Sequence, residues 1–237
     1  MRLCSKCGFI LGTRPGLMEK DGVCQACINA EAKKDIDFAA RQKWLTDYIK
    51  EKRNHPVYDC VIAVSGGKDS HMIVRRLIEN HGVKNPLLVS VTDEFTHTKA
   101  GRHNIDNLVN RYDLDLITWR CKPATFKAET LKDFDSELHP LKWIEAKIYQ
   151  VPVDIARAFC IPLVFFGENS AFEYGTSDQL DIWHPASGDG VEIIFMGAIY
   201  PYSITDSLEC AREIGFKDLD DFNEWPRQGS IDQYTQI

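Results

Sequence analysis

The chain lacks any apolar run near the roughly 20 residues that cross a bilayer; its longest, such as "CIPLVFFG", stop far short. The N-terminus "MRLCSKCGFILG" has neither the apolar core nor the cleavage site of a signal peptide, so a soluble cytoplasmic protein is expected, with no membrane partner. Basic runs are missing too. With a formal charge of −7, nothing draws a polyanion to the surface as a whole, which argues against nucleic acid as a partner. There are no internal repeats, low-complexity tracts or Gly/Ser linkers, which argues against repeat and tethered-module architectures. Beyond residue 30 no two cysteines stand at C-x2-C spacing.

What is present is enough for a sizeable core: 237 residues, 44% of them hydrophobic, suggest one main domain with an appendage. The appendage is the first thirty residues. Cys4, Cys7, Cys24 and Cys27 form two C-x2-C pairs. Two intervening residues let both thiolates of a knuckle reach one tetrahedral ion, and Gly8 and Gly22 suit the tight turns, so residues 1–30 read as a zinc ribbon with a structural Zn²⁺. Four thiolates leave that ion no open position for substrate. Cys60, Cys121, Cys160 and Cys210 stand singly in apolar segments and read as buried structural thiols. Residues 31–55 read as one amphipathic linker helix, ending ahead of Pro56.

Residues 56–200 alternate β-rich runs ("VYDCVIAV", "PLLVSVTD", "LDLITWR", "IPLVFFGE") with helical stretches. That alternation predicts an α/β fold, a parallel sheet flanked by helices. The run "VEIIFMGAIYP" is a further candidate strand without assigned neighbours. Met72, Ile73, Leu77 and Ile78 line one side of the first helix and Gly82 terminates it. Residues 201–237 form a C-terminal helical segment, packing through Leu208, Ala211 and Ile214.

The chemistry is carried by "VSGGKDS", residues 64–70, between the first strand and first helix. It lacks the first glycine and the closing GK[ST] of a Walker A loop. In a strand–turn–helix setting the backbone N–H groups of the turn converge on an anion, and Gly66 and Gly67 permit close approach. Val64, Ser65, Gly66, Gly67, Lys68, Asp69 and Ser70 are therefore candidate nucleotide contacts. Ser65 and Ser70 could add hydroxyl donors and Lys68 could offset charge. Asp69, acceptor-only when ionised, suits Mg²⁺. Asp93 and Glu94, at the second strand's exit, are candidates for adenine or ribose, or are simply solvated acids. His71 either contacts phosphate or is an exposed first-turn histidine.

"SGGKDS" after a first strand resembles the pyrophosphate loop of the ATP pyrophosphatases, the adenine nucleotide α-hydrolase-like, Rossmann-like fold of GMP synthetase, NAD synthetase, argininosuccinate synthetase and the tRNA-modifying ligases. The resemblance implies that the loop holds the β and γ phosphates as leaving pyrophosphate while AMP passes to an acceptor, with Lys68 and Asp69 in catalytic roles. "GENSAFE" resembles the GT-[ND]-x-x-x-E loop of NAD synthetase-like enzymes. Carried over, Glu173 shares Mg²⁺ with Asp69, and Gly167, Glu168 and Asn169 face nucleotide or substrate, although Glu168 stands where those enzymes have threonine.

Across nearly the whole chain, "C-x2-C … DGVC-x2-C", "VSGGKDS", "HPLKWIEAKIYQVPVDIARAFCIPLVFFGENSAFEYG" and "GSIDQYTQI" resemble the N-acetyl sugar amidotransferases of lipopolysaccharide and of pseudaminic or legionaminic acid biosynthesis. This implies ATP-dependent conversion of a sugar's acetamido group to an acetamidino group, the sugar being nucleotide-linked and the ammonia coming from a separate glutaminase. Lys142 and Trp143 fit the acceptor site by that resemblance, with core packing as the other reading of Trp143. Tyr174 and Gly175 are read as a flap from residue type alone. Members of that family run on beyond "GSIDQYTQI", so a short or incomplete copy is expected. Two other readings stay open: a tRNA-thiolating ligase with the same loop, and a non-catalytic subunit that binds nucleotide or a glutaminase.

Overall fold

The computed structural model describes residues 2–13, 16–92, 98–167, 175–177, 186–188 and 190–224. The first strands are short: β1 (Glu19–Lys20) and β2 (Val23–Cys24) form an antiparallel pair, and α1 (Gln25–Ala32) follows directly. The segment expected to be one linker helix is broken. After a single tight turn at Lys33–Asp35, α2 (Phe38–Lys52) starts afresh because the Asp37 carboxylate accepts the Ala40 N–H at 2.9 Å. Far from being a free linker, α2 sinks Leu45 and Ile49 completely into the main core. Its Lys52 pairs with Glu192 at 2.9 Å, and the Tyr48 hydroxyl donates to the same carboxylate.

The main domain alternates as the sequence predicts: β3 (Cys60–Ala63), α3 (Lys68–Arg75), β4 (Pro86–Thr92), α4 (Lys99–Tyr112), β5 (Leu116–Arg120), α5 (Pro123–Glu137), α6 (Lys142–Phe159), β6 (Leu163–Phe166), β7 (Ala186–Gly188), β8 (Val191–Phe195) and α7 (Ile204–Glu213). Helix α3 continues as a wider π turn over Arg76–Asn80, and Gly82 stops it with φ +67°. In space the strands run β5-β4-β3-β6-β8-β7. The first five are parallel and β7 is antiparallel at the edge. The candidate strand without assigned neighbours is thus β8, paired with β6.

Alternation along each strand feeds two cores. Cys60, Ile62, Leu88, Leu163 and Phe165 join α2, α3, α4 and α7 on one face. Val61, Leu87, Val89, Val164 and Phe166 join α6 on the other. Burying both faces makes the strands near-continuous hydrophobic runs, as parallel sheets require. Each fully buried Val, Ile or Leu contributes about 1.5–3 kcal/mol. Helix α7 packs on α3 through buried Ala211 and Ile214, with Ser207 donating to Met72 Sδ at 3.1 Å; Leu208 is only half-buried.

Strand order reverses between β3 and β6: the chain moves from β3 outward to β4 and β5, then returns to the other side of β3. In open parallel sheets, ligands bind at that crevice, beyond the carboxyl ends of the strands. Loop 64–67 leaves β3 there, and Gly167 leaves β6 beside it.

Candidate functional site

Three features define the loop. Gly66 has φ +82°, and a Cβ on it would sit 2.8 Å from the Gly101 carbonyl oxygen and 3.1 Å from Ile105 Cγ1. Only glycine combines that dihedral with so close an approach to α4. Ser65 N–H donates to Ser70 Oγ at 2.9 Å, the two hydroxyls lie 3.3 Å apart, and Gly67 N–H points to Ser65 Oγ at 3.4 Å. The serines therefore staple the loop to itself, setting its shape in advance. Val64 is the loop's root in the sheet: its N–H donates to the Val89 carbonyl at 2.9 Å and its side chain is in the core.

Among the described residues the N-terminus of α3 has no side-chain cap. That of α4 is closed by the protein's own groups: the Glu224 carboxylate accepts Lys99 N–H at 2.8 Å and Ala100 N–H at 2.9 Å, and Thr98 Oγ1 accepts Gly101 N–H at 2.9 Å. Helix α3 thus keeps its first-turn donors and positive end of the macrodipole for something else.

Lys68 is 6% exposed, and its ammonium donates to Asp69 Oδ2 at 2.9 Å. Burial works against its charge, but the Asp69 carboxylate and the nearby Tyr202 outweigh this and raise its pKa above the usual lysine value. The other Asp69 oxygen, Oδ1, is buried and has no hydrogen-bond partner among the described residues. A buried carboxylate oxygen without a donor is costly. A cation beside the loop would complete it, so Asp69 could offer one carboxylate oxygen to a divalent ion.

His71 is neither a phosphate ligand nor exposed. It is fully buried, its Nδ1 3.1 Å from the Gly67 carbonyl oxygen, and burial pushes its pKa down to about 4. An amphipathic reading of α3 missed this because Lys68, Ser70 and His71 are all buried: the helix is enclosed between the sheet, α4 and α7.

Lys142 and Trp143 open α6 at the same end of the sheet but over its β5 edge. Lys142 is half exposed and pairs with Glu137. The Trp143 ring lies 6.3 Å from that of Trp119, with Lys147 Nζ 5.5 Å from it, and the Trp143 main-chain N–H donates to Asp133 Oδ2 at 2.7 Å. The contacts described therefore do not bring either residue to the loop. Gly167 adjoins the helix that follows the loop: a Cβ there would meet Ile73 Cδ1 of α3 at 2.7 Å. Asp93, Glu94, Glu168, Asn169, Glu173 and Tyr174 lie outside the described residues, as does "GSIDQYTQI".

The second cluster is the cysteine module. Cys4 Sγ is 3.9 Å from Cys27 Sγ, Cys7 Sγ is 3.8 Å from Cys24 Sγ, and all four sulfurs lie within 4.8 Å of one another. Thiolates held about 2.3 Å from one tetrahedral ion stand about 3.8 Å apart, so the residues fit a single metal ion. The Cys24 amide, 3.3 Å from Cys4 Sγ, leads the group of backbone donors that lowers the Cys4 thiol to about 6, whereas burial pushes Cys24 and Cys27 up. The remaining thiols differ from the expectation. Cys60 is fully buried, but Cys121 and Cys210 are half-buried and Cys160 is exposed, occupying the left-handed position (φ +59°) that ends α6.

The module is docked against residues 175–177. Met18 N–H donates to Gly175 O at 3.2 Å and Asn29 Nδ2 to Ser177 O at 2.9 Å. Gly175 is buried with φ +71°, and a Cβ on it would lie 2.3 Å from Ala26 N. Gly175 is therefore a packing contact of α1, not part of a flap.

No family model matches the chain, and no curated protein matches it. Among solved structures, the U34-tRNA thiolase NcsA from Methanococcus maripaludis, with its [4Fe-4S] cluster, superposes with TM-score 0.50 and 13% identity over 92% of this chain and 74% of that one. The NH3-dependent NAD synthetase from Campylobacter jejuni gives 0.49 and 16% over 76% and 75% of the two chains. NMN synthetase from Francisella tularensis gives 0.45 and 15% over 85% and 87%. With the strand order above, the fold is the adenine nucleotide α-hydrolase-like one, a parallel five-stranded sheet flanked by helices, with the four-cysteine module in front of it.

Proposed function

We propose that the chain is an ATP-using ligase of the pyrophosphate-loop type that adenylates the acetamido oxygen of a nucleotide-linked N-acetyl sugar and lets ammonia displace AMP. The observation that carries the ATP reading is the uncapped start of α3 at the switch point, shaped by Gly66 and flanked by the unpartnered Asp69 Oδ1. The acceptor rests on the sequence resemblance described above.

An amide is a poor electrophile because its oxygen leaves badly. As the acetamido oxygen bonds to the α-phosphorus, the bond from that phosphorus to the β-phosphate bridging oxygen breaks and pyrophosphate departs. Ammonia then adds to the imidate carbon and loses a proton; the carbon–oxygen bond breaks, and AMP leaves carrying the former acetamido oxygen. No side-chain nucleophile is needed. The chain's own part is positioning and charge: the first-turn amides of α3 and the Gly66–Gly67 turn receive the leaving pyrophosphate, and the Lys68–Asp69 pair sets the local charge. Asp69 would hold Mg²⁺, which when bound neutralises phosphate charge. Cys4, Cys7, Cys24 and Cys27 would hold a structural Zn²⁺. A glutaminase partner would supply the ammonia.

A second reading, a tRNA-thiolating ligase, draws support from the likeness to the NcsA fold. The sulfur spacing in this chain fits one ion, whereas a cubane cluster holds its thiolates farther apart. The other four cysteines lie on separate elements: β3, the end of β5, the end of α6, and α7. Product analysis separates the readings. Incubation with ATP, Mg²⁺, ammonia and a panel of acetamido sugar nucleotides is expected to release AMP and pyrophosphate with only the right sugar. Release of ADP, or turnover only with tRNA and a sulfur donor, would reject the amidating reading.

A further inference from the structure

We propose that His71 is a positioning residue for the pyrophosphate loop, held in its working tautomer by Asn107 of α4. The inference rests on the reading of loop 64–70 given above and adds a residue that touches neither nucleotide nor acceptor.

The hydrogen-bond pattern determines the roles. Asn107 Nδ2 donates to the Ile214 carbonyl at 2.8 Å, which fixes which end of the amide is nitrogen. Its second hydrogen faces His71 Nε2 at 3.3 Å, so that ring nitrogen accepts. A neutral imidazole that accepts at Nε2 carries its proton on Nδ1. Nδ1 lies 3.1 Å from the Gly67 carbonyl oxygen and therefore donates to it.

That carbonyl is the hinge of the loop. It also accepts the His71 main-chain N–H, at 3.3 Å. With both donors on one side, the planar Gly67–Lys68 peptide is held with its oxygen into the helix, and the Lys68 N–H faces the opposite way, out of the uncapped end of α3. A single long bond would leave the peptide free to rock; two donors from one residue prevent it.

The support behind His71 is built to the same end. Phe216 meets its ring edge-on at 5.3 Å. Gly215 has φ +99°, and a Cβ there would fall 2.6 Å from Asn107 Oδ1, so glycine lets the chain pass close to the amide. One turn earlier, Asn104 clamps Lys217 by both its carbonyl and N–H, each at 2.9 Å. Segment 214–217 thus props Asn107, Asn107 props His71, and His71 props Gly67.

The test uses the full chain, with inorganic pyrophosphate as the titrant in calorimetry and the KM for ATP as a second readout. His71→Phe keeps a ring but removes both nitrogens. It is expected to weaken pyrophosphate binding roughly tenfold and raise KM for ATP similarly, with circular dichroism unchanged. His71→Asn restores an amide donor at the δ position and is expected to recover binding to within about threefold of wild type. A folded His71→Phe chain that binds pyrophosphate as wild type does, or a His71→Asn chain no better than His71→Phe, would overturn the inference. If His71→Phe does not fold, Asn107→Leu carries the test: weakened pyrophosphate binding supports the relay, and wild-type affinity rejects it. Failure of the wild-type chain to bind pyrophosphate would remove the reading of the loop itself, and the inference with it. Unchanged affinity in the variants removes only the role of His71.

Discussion

Gly66 and Gly101 are pressed together: the hydrogen of Gly66 that a side chain would replace points at the Gly101 carbonyl, leaving 2.8 Å for a Cβ. Because the obstacle is backbone of α4, which Glu224 and Thr98 already hold in place, it cannot swing aside. Gly66→Ala is therefore expected to cost about 2 kcal/mol in urea unfolding, from the φ of +82° and the clash together. ATP cleavage should fall about a hundredfold, the effect of moving phosphate donors by about 1 Å. Retention of wild-type KM and turnover would mean that the loop is not the phosphate site.

Asn29 and Gly175 connect the cysteine module to the segment after β6. Removing one ligand, as in Cys24→Ser, is expected to abolish stoichiometric zinc by mass spectrometry and lower Tm by at least about 5 °C. Gly175→Ala should lower Tm as well while zinc stays bound, because its clash is with the Ala26 backbone and not with the thiolates. Hydrogen exchange at residues 175–177 should rise in both variants. Unchanged exchange in both would show that the module does not brace that segment.

His81 gives a pH dependence of stability. It is buried between the Thr46 hydroxyl and the Tyr200 hydroxyl, each 2.8 Å from a ring nitrogen, with Arg76 stacked on the Tyr200 ring. Burial first, and the Arg76 charge second, lower its pKa from 6.5 to about 4. In that window the unfolded chain takes up a proton that the native chain does not, so stability falls as pH drops from 6.5 towards 4. The expected slope is about 1.4 kcal/mol per pH unit from this group, summing to about 3 kcal/mol. Urea titrations at several pH values should show His81→Gln flatter than wild type by that amount; equal slopes would contradict the assignment.

The sheet was legible because four hydrophobic runs separated by helical stretches predict a parallel array covered on both faces; the fifth run had no assigned neighbours until its pairing with β6 was seen. The two cysteine knuckles were legible from spacing alone. Other features depended on the third dimension. The break at Asp37 carries no glycine or proline, only a capping carboxylate that competes with helix continuation. One reading of His71 put it in solvent because periodicity assumes one wet face, and α3 has almost none: Lys68, Ser70 and His71 are buried with Met72, Ile73 and Val74. Asn104 and Asn107, three apart on α4, were the available signal for a polar partner to α3. Gly175 read as part of a flap because residue type cannot report that another backbone lies against it.

The most direct measurement follows the oxygen. An acetamido sugar nucleotide carrying heavy oxygen in its carbonyl is incubated with the full chain, ATP, Mg²⁺ and ammonia, and the products are weighed by mass spectrometry. The account predicts the label in AMP, none in pyrophosphate, and a sugar product with nitrogen in its place. Formation of ADP and phosphate, or an acetamidino product accompanied by unlabelled AMP, would contradict it.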